Sequence, residues 1–480
     1  MRLFFRESRQ RFPKWGKHLN QEELESLGKI ARFMQGHPLA IKLTAALVAS
    51  RSLESIRDEL RKNPPKKVSD RFDVSYRSLT ERQRELFSRL AVFFGSMTKD
   101  AILSICIEKD EDDGSEWESD LGELERRSFL DRVEIVTEDK SGKAVVLHRY
   151  RLHPLMRQYA ATKIERELLN KLREKAANYF LGYAQNFREN FDMLEREKEN
   201  ILSGMNWAVS RQDSATGEEK KNAALMVLQF MSSLDSFLDT RGYWNEYGIS
   251  LHQAVESAVV LGDRRELAVW VHNIGIHAQN RGNYSEARKL YQQSMKTNQE
   301  LGDKSGVSKS MLMMGMLAKK TGEYDEARKL YQQSLKIDQE LGDKSGMSSS
   351  LHQMGTLAQN TGEYDEARKL YQQSLKIDQE LGDKSGMSSS LHQMGTLAQN
   401  TGEYDEARKL YQQSLKIFQE QGNKIGMALS QAQLALLEEK QGHVKEALRL
   451  IRLAEAAFRE LGSPHSQQAQ KDRERLEKNQ

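Results

Sequence analysis

Hydrogen-bonding side chains recur in two clusters that lie 40 residues apart in the C-terminal half of the chain. Amide, hydroxyl and imidazole groups both donate and accept hydrogen bonds, so a row of them can bind an extended peptide backbone. We therefore predict a ligand groove here rather than a reaction centre. The candidate groove residues are His352, Gln353, Thr356, Gln359 and Asn360 and, one period later, His392, Gln393, Thr396, Gln399 and Asn400.

Earlier periods limit this prediction. They hold His272, Asn273, Gln279 and Asn280 in one period and Leu312, Met313 and Met316 in the next. The apolar residues interrupt the row, and an ordinary solvated helix face is the alternative interpretation. A metal site is not predicted, because His352 and His392 are a full period apart and neither has a second histidine and a carboxylate nearby in sequence.

Triphosphate hydrolysis needs a glycine-rich loop whose backbone N–H groups cradle the phosphates. The pattern G-x4-G-K-[ST] is absent, and the Gly-Lys pairs at 16–17 and 142–143 lack the upstream glycine. No apolar run ends in paired acids, and no Ser/His/Asp set, Cys/His pair or coupled carboxylate pair is indicated by spacing. We predict that the chain is not an enzyme.

Composition excludes several function classes. The chain has 480 residues, 38% hydrophobic and 30% charged, with a net charge of +3. Near-balanced charge gives no whole-protein attraction to nucleic acid. Cys106 is the only cysteine, so neither a disulfide framework nor a cysteine-rich metal site is possible. The sequence shows no run long enough to span a bilayer and no secretory leader, and we predict a cytoplasmic protein with no membrane partner.

An internal repeat of 40 residues explains the spacing of the polar clusters. Glycines mark it at 282, 322, 362, 402 and 442, and the segment 321–377 recurs unchanged at 361–417. Within the unit 348–387, Leu351, Met354, Leu357 and Ala358 form one apolar helix stripe, and a second stripe follows Gly362. That second stripe consists of Ala367, Leu370, Tyr371 and Leu375, and Gly382 ends it. Each unit is therefore predicted to be a pair of helices.

This unit resembles the tetratricopeptide repeat (TPR). The pattern is carried by Leu351, Met354, Gly355, Ala358, Gly362, Tyr364, Ala367 and Tyr371. The resemblance implies stacked antiparallel helix pairs, with Gly355 and Ala367 allowing close approach and the first helices lining a concave groove. The unit is longer than the usual 34 residues, and Gln379 replaces the family's helix-ending proline, so the second helix should run on toward Leu381. The Lys/Asn clamp of some TPR domains for C-terminal carboxylates is absent.

The N-terminal third predicts a different fold. Helical spacing over 70–130 is followed by two alternating segments, 133–137 and 144–152, joined by a turn. Three helices and one β-hairpin are typical of a winged helix. Arg82, Arg84 and Arg89 near its helices and Lys140 and Lys143 in its wing could contact DNA, but acidic residues interleave with them, and nucleic acid is not the favoured partner.

The same region resembles the ARC and winged-helix segments of the STAND (NB-ARC) signalling ATPases. Residues 36–40 are similar to that family's Gly-Leu-Pro-Leu-Ala motif, and 152–160 to its Met-His-Asp segment, although Leu155 stands at the place of the Asp. The resemblance implies that Pro38 packs on an adenine and that His153 contacts a nucleotide phosphate. Because the P-loop half is missing, ADP or ATP is expected only if an ATPase module is supplied in trans.

These observations predict a mostly α-helical chain: a TPR solenoid preceded by a small helical segment and a winged helix with one hairpin. The predicted boundaries are 1–66 (ARC-like helices), 67–163 (winged helix), 164–260 (helical spacer), 261–465 (TPR repeats) and 466–480 (polar tail). The favoured function is a non-catalytic sensor or scaffold that binds a protein or peptide ligand and relays its occupancy to an ATPase module. The alternative is a DNA-binding transcriptional regulator with a peptide-sensing TPR domain.

Overall fold

The computed structural model describes residues 21–34, 37–49, 51–62, 70–108, 116–138, 144–461, 463 and 465–478. Within them the chain is mostly helical and divides into an N-terminal unit, 1–261, and a C-terminal unit, 262–480. None of the helices in these ranges is long and apolar enough to cross a membrane.

The first part of the N-terminal unit contains eight short helices and three strands among the described residues. The helices are α1 (Gln21–Phe33), α2 (Pro38–Ala46), α3 (Leu53–Lys62), α4 (Asp70–Arg77), α5 (Glu81–Arg89), α6 (Lys99–Cys106), α7 (Glu116–Arg126) and α8 (Pro154–Ala161). The strands are β1 (Ser96–Met97), β2 (Asp131–Glu138) and β3 (Ala144–Arg151).

The strands form an antiparallel sheet in the order β1-β3-β2. The predicted hairpin is confirmed as β2 and β3, paired from Asp131 opposite Arg151 to Glu138 opposite Ala144. The third strand was not predicted, because β1 has two residues and pairs only with β3. The order α5, β1, α6, α7, β2, β3 is that of a winged helix, and the predicted wing residues Lys140 and Lys143 lie outside the described residues.

Four longer helices complete the N-terminal unit: α9 (Arg166–Asn186), α10 (Phe191–Ser214), α11 (Gly217–Thr240) and α12 (Trp244–Leu261). A buried polar cluster fixes α10 to the sheet. Arg149 pairs with Glu197 at 2.5 Å, and both side chains are 4% exposed. The Asn200 amide donates to Glu197 and to the Ser96 carbonyl. The buried Glu197 carboxylate therefore has both a counter-charge and a hydrogen-bond donor.

The C-terminal unit consists of five helix pairs, named repeats 1 to 5, and a final helix. The pairs are α13 (Arg264–Asn280) with α14 (Tyr284–Leu301), α15 (Lys304–Lys320) with α16 (Tyr324–Leu341), α17 (Lys344–Asn360) with α18 (Tyr364–Leu381), α19 (Lys384–Asn400) with α20 (Tyr404–Gln421), and α21 (Lys424–Lys440) with α22 (Val444–Glu460). The final helix is α23 (His465–Lys478).

Glycine and asparagine or aspartate residues set the helix ends. Gly362 lies between the helices of repeat 3 with φ +82°, and Gly382 ends the second helix with φ +69°. Both glycines are in the left-handed region, and the predicted helix end at Gly382 is confirmed. Asp343 begins α17, where its side chain accepts a hydrogen bond from the Gly346 N–H. The second helix reaches Leu381, as the missing proline predicts.

Small residues allow the paired helices to approach. A Cβ added to Gly355 would lie 2.8 Å from the Tyr371 ring, and neither Ala367 nor Tyr371 is exposed. The Ser374 hydroxyl lies 2.9 Å from that of Ser348 in the same repeat and 3.2 Å from that of Ser390 in the next repeat. These buried contacts join the two helices of a repeat and hold the repeat against its neighbour.

The segment predicted as a polar tail is a helix. Residues 465–478 form α23, which buries Ala469 and Leu476 against the last repeat, and Arg475 pairs with Glu439 of α21 at 2.6 Å. The sequence did not predict this helix, because only two apolar residues at a spacing of seven mark it in a polar sequence. Such a helix covers the end of a repeat array.

Candidate functional site

The candidate groove is the face formed by the first helices of repeats 1 to 5. First helices of neighbouring repeats contact one another more extensively than second helices do. This places the first helices on the inner side of a curved array, as a groove requires. The predicted residues of repeats 3 and 4 lie on α17 and α19, the first helices of these repeats. Their binding of a ligand stays a prediction.

The groove histidines are packing groups rather than exposed donors. The His352 ring lies 5.4 Å from the Tyr371 ring, and Nδ1 lies 3.2 Å from the Ser390 hydroxyl. Burial, with a smaller effect of the Lys319 charge, lowers the pKa of His352 to about 4. The imidazole is therefore neutral at physiological pH and forms part of the groove floor.

The threonine and glutamine next to it support the same tyrosine. The Tyr371 hydroxyl donates to Gln359 Oε1 at 2.9 Å and lies 3.3 Å from Thr356 Oγ1. Thr356 itself donates to the His352 carbonyl at 3.0 Å. Gln359 keeps its NH2 group for other partners. Part of the hydrogen-bonding capacity that the sequence assigned to a ligand is thus used within the repeat.

Other groove side chains retain more of their capacity. Gln353 accepts a hydrogen bond from Lys319 at 2.9 Å through Oε1, which leaves its amide N–H groups. Asn360 is exposed, and its side chain makes no hydrogen bond within the described residues. Amide groups of this kind can bind the backbone of an extended segment.

Repeat 4 reproduces this arrangement. His392 lies 5.4 Å from the Tyr411 ring, and burial lowers its pKa to about 4. The Tyr411 hydroxyl lies 3.1 Å from Gln399 Oε1 and 3.1 Å from Thr396 Oγ1. Gln393 is half-buried and Asn400 is exposed. The two repeats therefore present the same groups to the groove.

Repeat 2 contains two residues that sequence reasoning missed. Lys319 takes the position of Gln359, and its side chain is half-buried. Tyr331, at the position of Tyr371, is not exposed, and within the described residues its hydroxyl has no hydrogen-bond partner. Aligning the repeats by their glycines shows the lysine, but the unpartnered hydroxyl is visible only in the structure.

The two residues with a predicted nucleotide role both begin helices. Pro38 is the first residue of α2, and His153 caps α8, where its Nδ1 accepts from the Leu155 N–H at 3.2 Å. Their segments pack on a common residue, because the Phe72 ring lies 6.1 Å from His37 and 5.5 Å from Tyr159. Gly36 of the predicted motif lies outside the described residues. Nucleotide contact stays a prediction.

The arginines predicted near the winged helix are held by internal partners. Arg82 pairs with Glu116 and Asp120 of α7. Arg84 donates to the Leu79 carbonyl at 3.0 Å, and Arg89 is buried and donates to the Cys106 carbonyl at 2.7 Å. α7, the third helix of the winged-helix order, carries five acidic residues and one arginine in its sequence EWESDLGELER.

A separate cavity of about 950 Å³ lies in the N-terminal unit, between the end of β3, the start of α8 and the helices α9 and α10. Its lining includes Phe94, Arg151, Arg157, Arg173 and Trp207. The Arg157 guanidinium stacks on Phe94 at 3.8 Å, and burial lowers its pKa. No group of three or more His, Cys, Asp or Glu side chains in the described ranges could hold a metal ion.

Comparison with known proteins agrees with the repeat geometry. The family model of the tetratricopeptide repeat matches residues 265–340, 346–420 and 386–460. The C-terminal unit is a TPR array.

Two comparisons extend beyond the TPR array. The fold is similar to that of a signal transduction ATPase with numerous domains (STAND) from Pyrococcus horikoshii that has a TPR sensor. The TM-score is 0.53 at 17% identity, over 97% of this chain and 61% of that one. A Mycobacterium tuberculosis protein, provisionally named an HTH-type transcriptional regulator, is 26% identical over 284 residues, which are 51% of this chain and 30% of the relative.

A third similarity is short. The disease resistance protein RPP2A of Arabidopsis thaliana is 35% identical over 68 residues, which are 14% of this chain and 5% of that protein. The chain spans about a third or less of the length of these curated relatives.

Proposed function

We propose that the TPR array binds an extended protein or peptide segment along its first helices and that the chain acts as a non-catalytic sensor or scaffold. One observation carries this proposal: repeats 3 and 4 hold the same amide side chains in the same register, with Asn360 and Asn400 exposed and Gln353 and Gln393 half-buried at equivalent positions of the first helices. Evenly spaced amides match the evenly spaced carbonyl groups of an extended chain.

We further propose that the winged helix relays ligand binding to an ATPase module of a STAND-type system, supplied in trans. The similarity in fold to the Pyrococcus STAND protein over 97% of this chain supports this arrangement. Such a relay requires the ligand to bind one arrangement of the protein more tightly than another. We place the protein in the cytoplasm.

The chemistry of the described side chains supports a binding role. The groove histidines are neutral and packed on tyrosines. Cys106, the single thiol, is buried, and burial raises its pKa to about 12, which makes it a poor nucleophile. The best-positioned polar groups of the groove are thus neutral amides, which bind rather than catalyse. In this proposal a nucleotide is bound only by the partner ATPase module.

A second candidate function is DNA-binding regulation, favoured by the 26% identity to the mycobacterial HTH-type protein. In many winged-helix proteins the third helix enters the major groove, where arginine and lysine neutralise phosphates. Here that helix, α7, has five acidic residues against one basic residue. This charge distribution favours the sensor function.

The groove can be tested by panning the full chain against a phage-displayed library of random linear peptides. The groove variant is Asn360→Arg with Asn400→Arg. The matched control carries Gln373→Arg and Gln413→Arg, which are exposed on the second helices of the same repeats. We expect the wild type and the control to retain the same peptides and the groove variant to lose them. Equal retention by all three proteins, or no enrichment at all, would contradict the proposal.

Calorimetric titration of the full chain with Mg-ATP and ADP tests the non-catalytic assignment. No heat of binding is expected, and tight Mg²⁺-dependent binding would contradict it. Titration with a DNA duplex separates the second function, because phosphate contacts make affinity fall steeply with salt.

A further inference from the structure

In repeats 1 to 4 the second helix carries a buried tyrosine, and in three of them its hydroxyl has an acceptor in the first helix of the repeat. In repeats 1, 3 and 4 that acceptor is a glutamine side chain: Tyr291 donates to Gln279 at 3.1 Å, Tyr371 to Gln359 at 2.9 Å and Tyr411 to Gln399 at 3.1 Å. A buried hydroxyl without a partner costs about 1–3 kcal/mol. The glutamine is therefore part of the repeat's internal structure.

Repeat 2 lacks this acceptor. Lys319 stands at the glutamine position and Met316 at the position of Thr356. An ammonium group has no lone pair to offer, and a thioether is a weak acceptor. The Tyr331 hydroxyl is accordingly buried and without a hydrogen-bond partner among the described residues. Its O–H group therefore has no hydrogen-bond acceptor among the described residues.

The lysine in the same repeat also lacks a matching partner. Lys319 donates to the neutral Gln353 side chain at 2.9 Å, and no ion pair with a carboxylate is formed in the part of the chain that the structure describes. Burial lowers the pKa of Lys319. Repeat 2 thus holds a partly desolvated cation on its first helix and an unpartnered buried hydroxyl on its second helix.

Apolar side chains on the first helix of repeat 2 lie close to Tyr331. Leu312 and Met316 are half-buried and pack against the core that contains Tyr331, while Met313 packs against the core of repeat 1. They occupy the positions where repeat 3 has His352, Thr356 and Gln353. Methionine side chains adapt to differently shaped apolar partners. The groove therefore changes from polar to apolar at repeat 2, and Lys319 lies next to the apolar residues.

We propose that repeat 2 is the specificity-determining subsite of the groove and that it holds a carboxylate side chain of the bound peptide, with Lys319 as the cation that binds it. An apolar side chain next to that Asp or Glu packs on Leu312 and Met316. This inference rests on the proposed peptide-binding function. The carboxylate belongs to a side chain rather than to a chain end, because repeats 1 and 3 continue the groove on both sides of the subsite.

Panning the full chain with a phage-displayed library of random dodecapeptides tests the subsite. Wild-type protein is expected to enrich peptides with Asp or Glu beside Leu, Ile or Met. Lys319→Gln, which restores the residue found in repeats 1, 3 and 4, should lose the acidic preference and keep the apolar one. The control is Lys329→Gln, an exposed lysine on the second helix of the same repeat, which should behave as wild type.

A mutant cycle then measures the contact between Lys319 and the acidic residue of the peptide. It compares the affinities of one enriched synthetic peptide and of its Glu→Gln or Asp→Asn analogue. The analogue should bind wild type about tenfold or more weakly, and the loss should disappear in Lys319→Gln. Enriched peptides without an acidic residue, or an equal loss in wild type and Lys319→Gln, would overturn the subsite while leaving peptide binding intact. Absence of any enriched peptide would instead refute the proposed function, and the subsite with it.

Discussion

Replacing Asp378 by asparagine should stabilise the TPR array at neutral pH. Asp378 lies in the last turn of α18 and is 2% exposed. Ser348 donates to Oδ1, but Oδ2 has no hydrogen-bond partner among the described residues. The equivalent position in repeat 1 is Asn298, whose amide lies 3.5 Å from the Ser294 hydroxyl. The repeat therefore already accommodates the proposed side chain.

The magnitude follows from the burial of the carboxylate. Burial raises the pKa of Asp378 above its ordinary value of 3.8, and the serine hydroxyls only partly offset this. A buried polar atom without a partner costs about 1–3 kcal/mol. Asparagine keeps an oxygen for Ser348 and removes the charge, so we expect Asp378→Asn to raise the free energy of unfolding by about 1 kcal/mol at pH 7. For a unit of this size that corresponds to about 2–4 °C in Tm.

The gain should depend on pH in a definite direction. Because folding raises the pKa of this carboxyl, the folded protein binds the proton more tightly than the unfolded chain does. The wild type therefore loses stability as pH rises from about 3.8 through the raised folded value, and the loss is complete above it. The advantage of Asp378→Asn should be full at pH 7 and should shrink toward pH 4.

Urea unfolding of the full chain, followed by far-ultraviolet circular dichroism between pH 4 and 8, measures this difference. The control is Asp365→Asn, which removes the same charge from an exposed position in the first turn of the same helix. That carboxylate faces the positive helix end, so the control should be neutral or slightly destabilised. If Asp378→Asn is no more stable than wild type at pH 7, or if its advantage is the same at every pH, the assignment of a costly buried charge is wrong.

Two further changes test the packing on which the groove and the winged helix depend. Gly355→Ala should destabilise the array by about 1–3 kcal/mol, because the new Cβ would lie 2.8 Å from the Tyr371 ring. The control is Ser349→Ala at an exposed position of the same helix. If the two variants have the same Tm, the helix register is wrong. Glu197→Gln should destabilise the N-terminal unit by about 3 kcal/mol, since Arg149 is 4% exposed and would lose its counter-charge. Hydrogen exchange in α10 measures this loss, with the exposed Glu199→Gln as the control. Equal exchange rates in the two variants would contradict a structural role of the Arg149–Glu197 pair.

The sequence predicted the repeats well because their signals are local. Helix stripes recur every three or four residues, and a left-handed residue such as Gly362 ends a helix whatever the distant contacts are. The strand β1 has no such signal, since two residues pair with a strand more than 50 positions later. The contacts of His352 were missed for the same reason: periodicity places a residue on a helix face, but the partner ring belongs to another helix.

The identity of repeats 3 and 4 bears on how a ligand would be positioned. A segment repeated without change reflects duplication, so the shared polar groups of Gln359 and Gln399 are one observation rather than two. Equal subsites also allow a peptide to bind in either of two registers, shifted by one repeat, with equal affinity. A single different subsite removes this degeneracy. Lys319 occurs at the corresponding position only in repeat 2, so an acidic residue bound there would fix the register of the whole ligand, and the duplicated repeats would add affinity without deciding which peptide is bound.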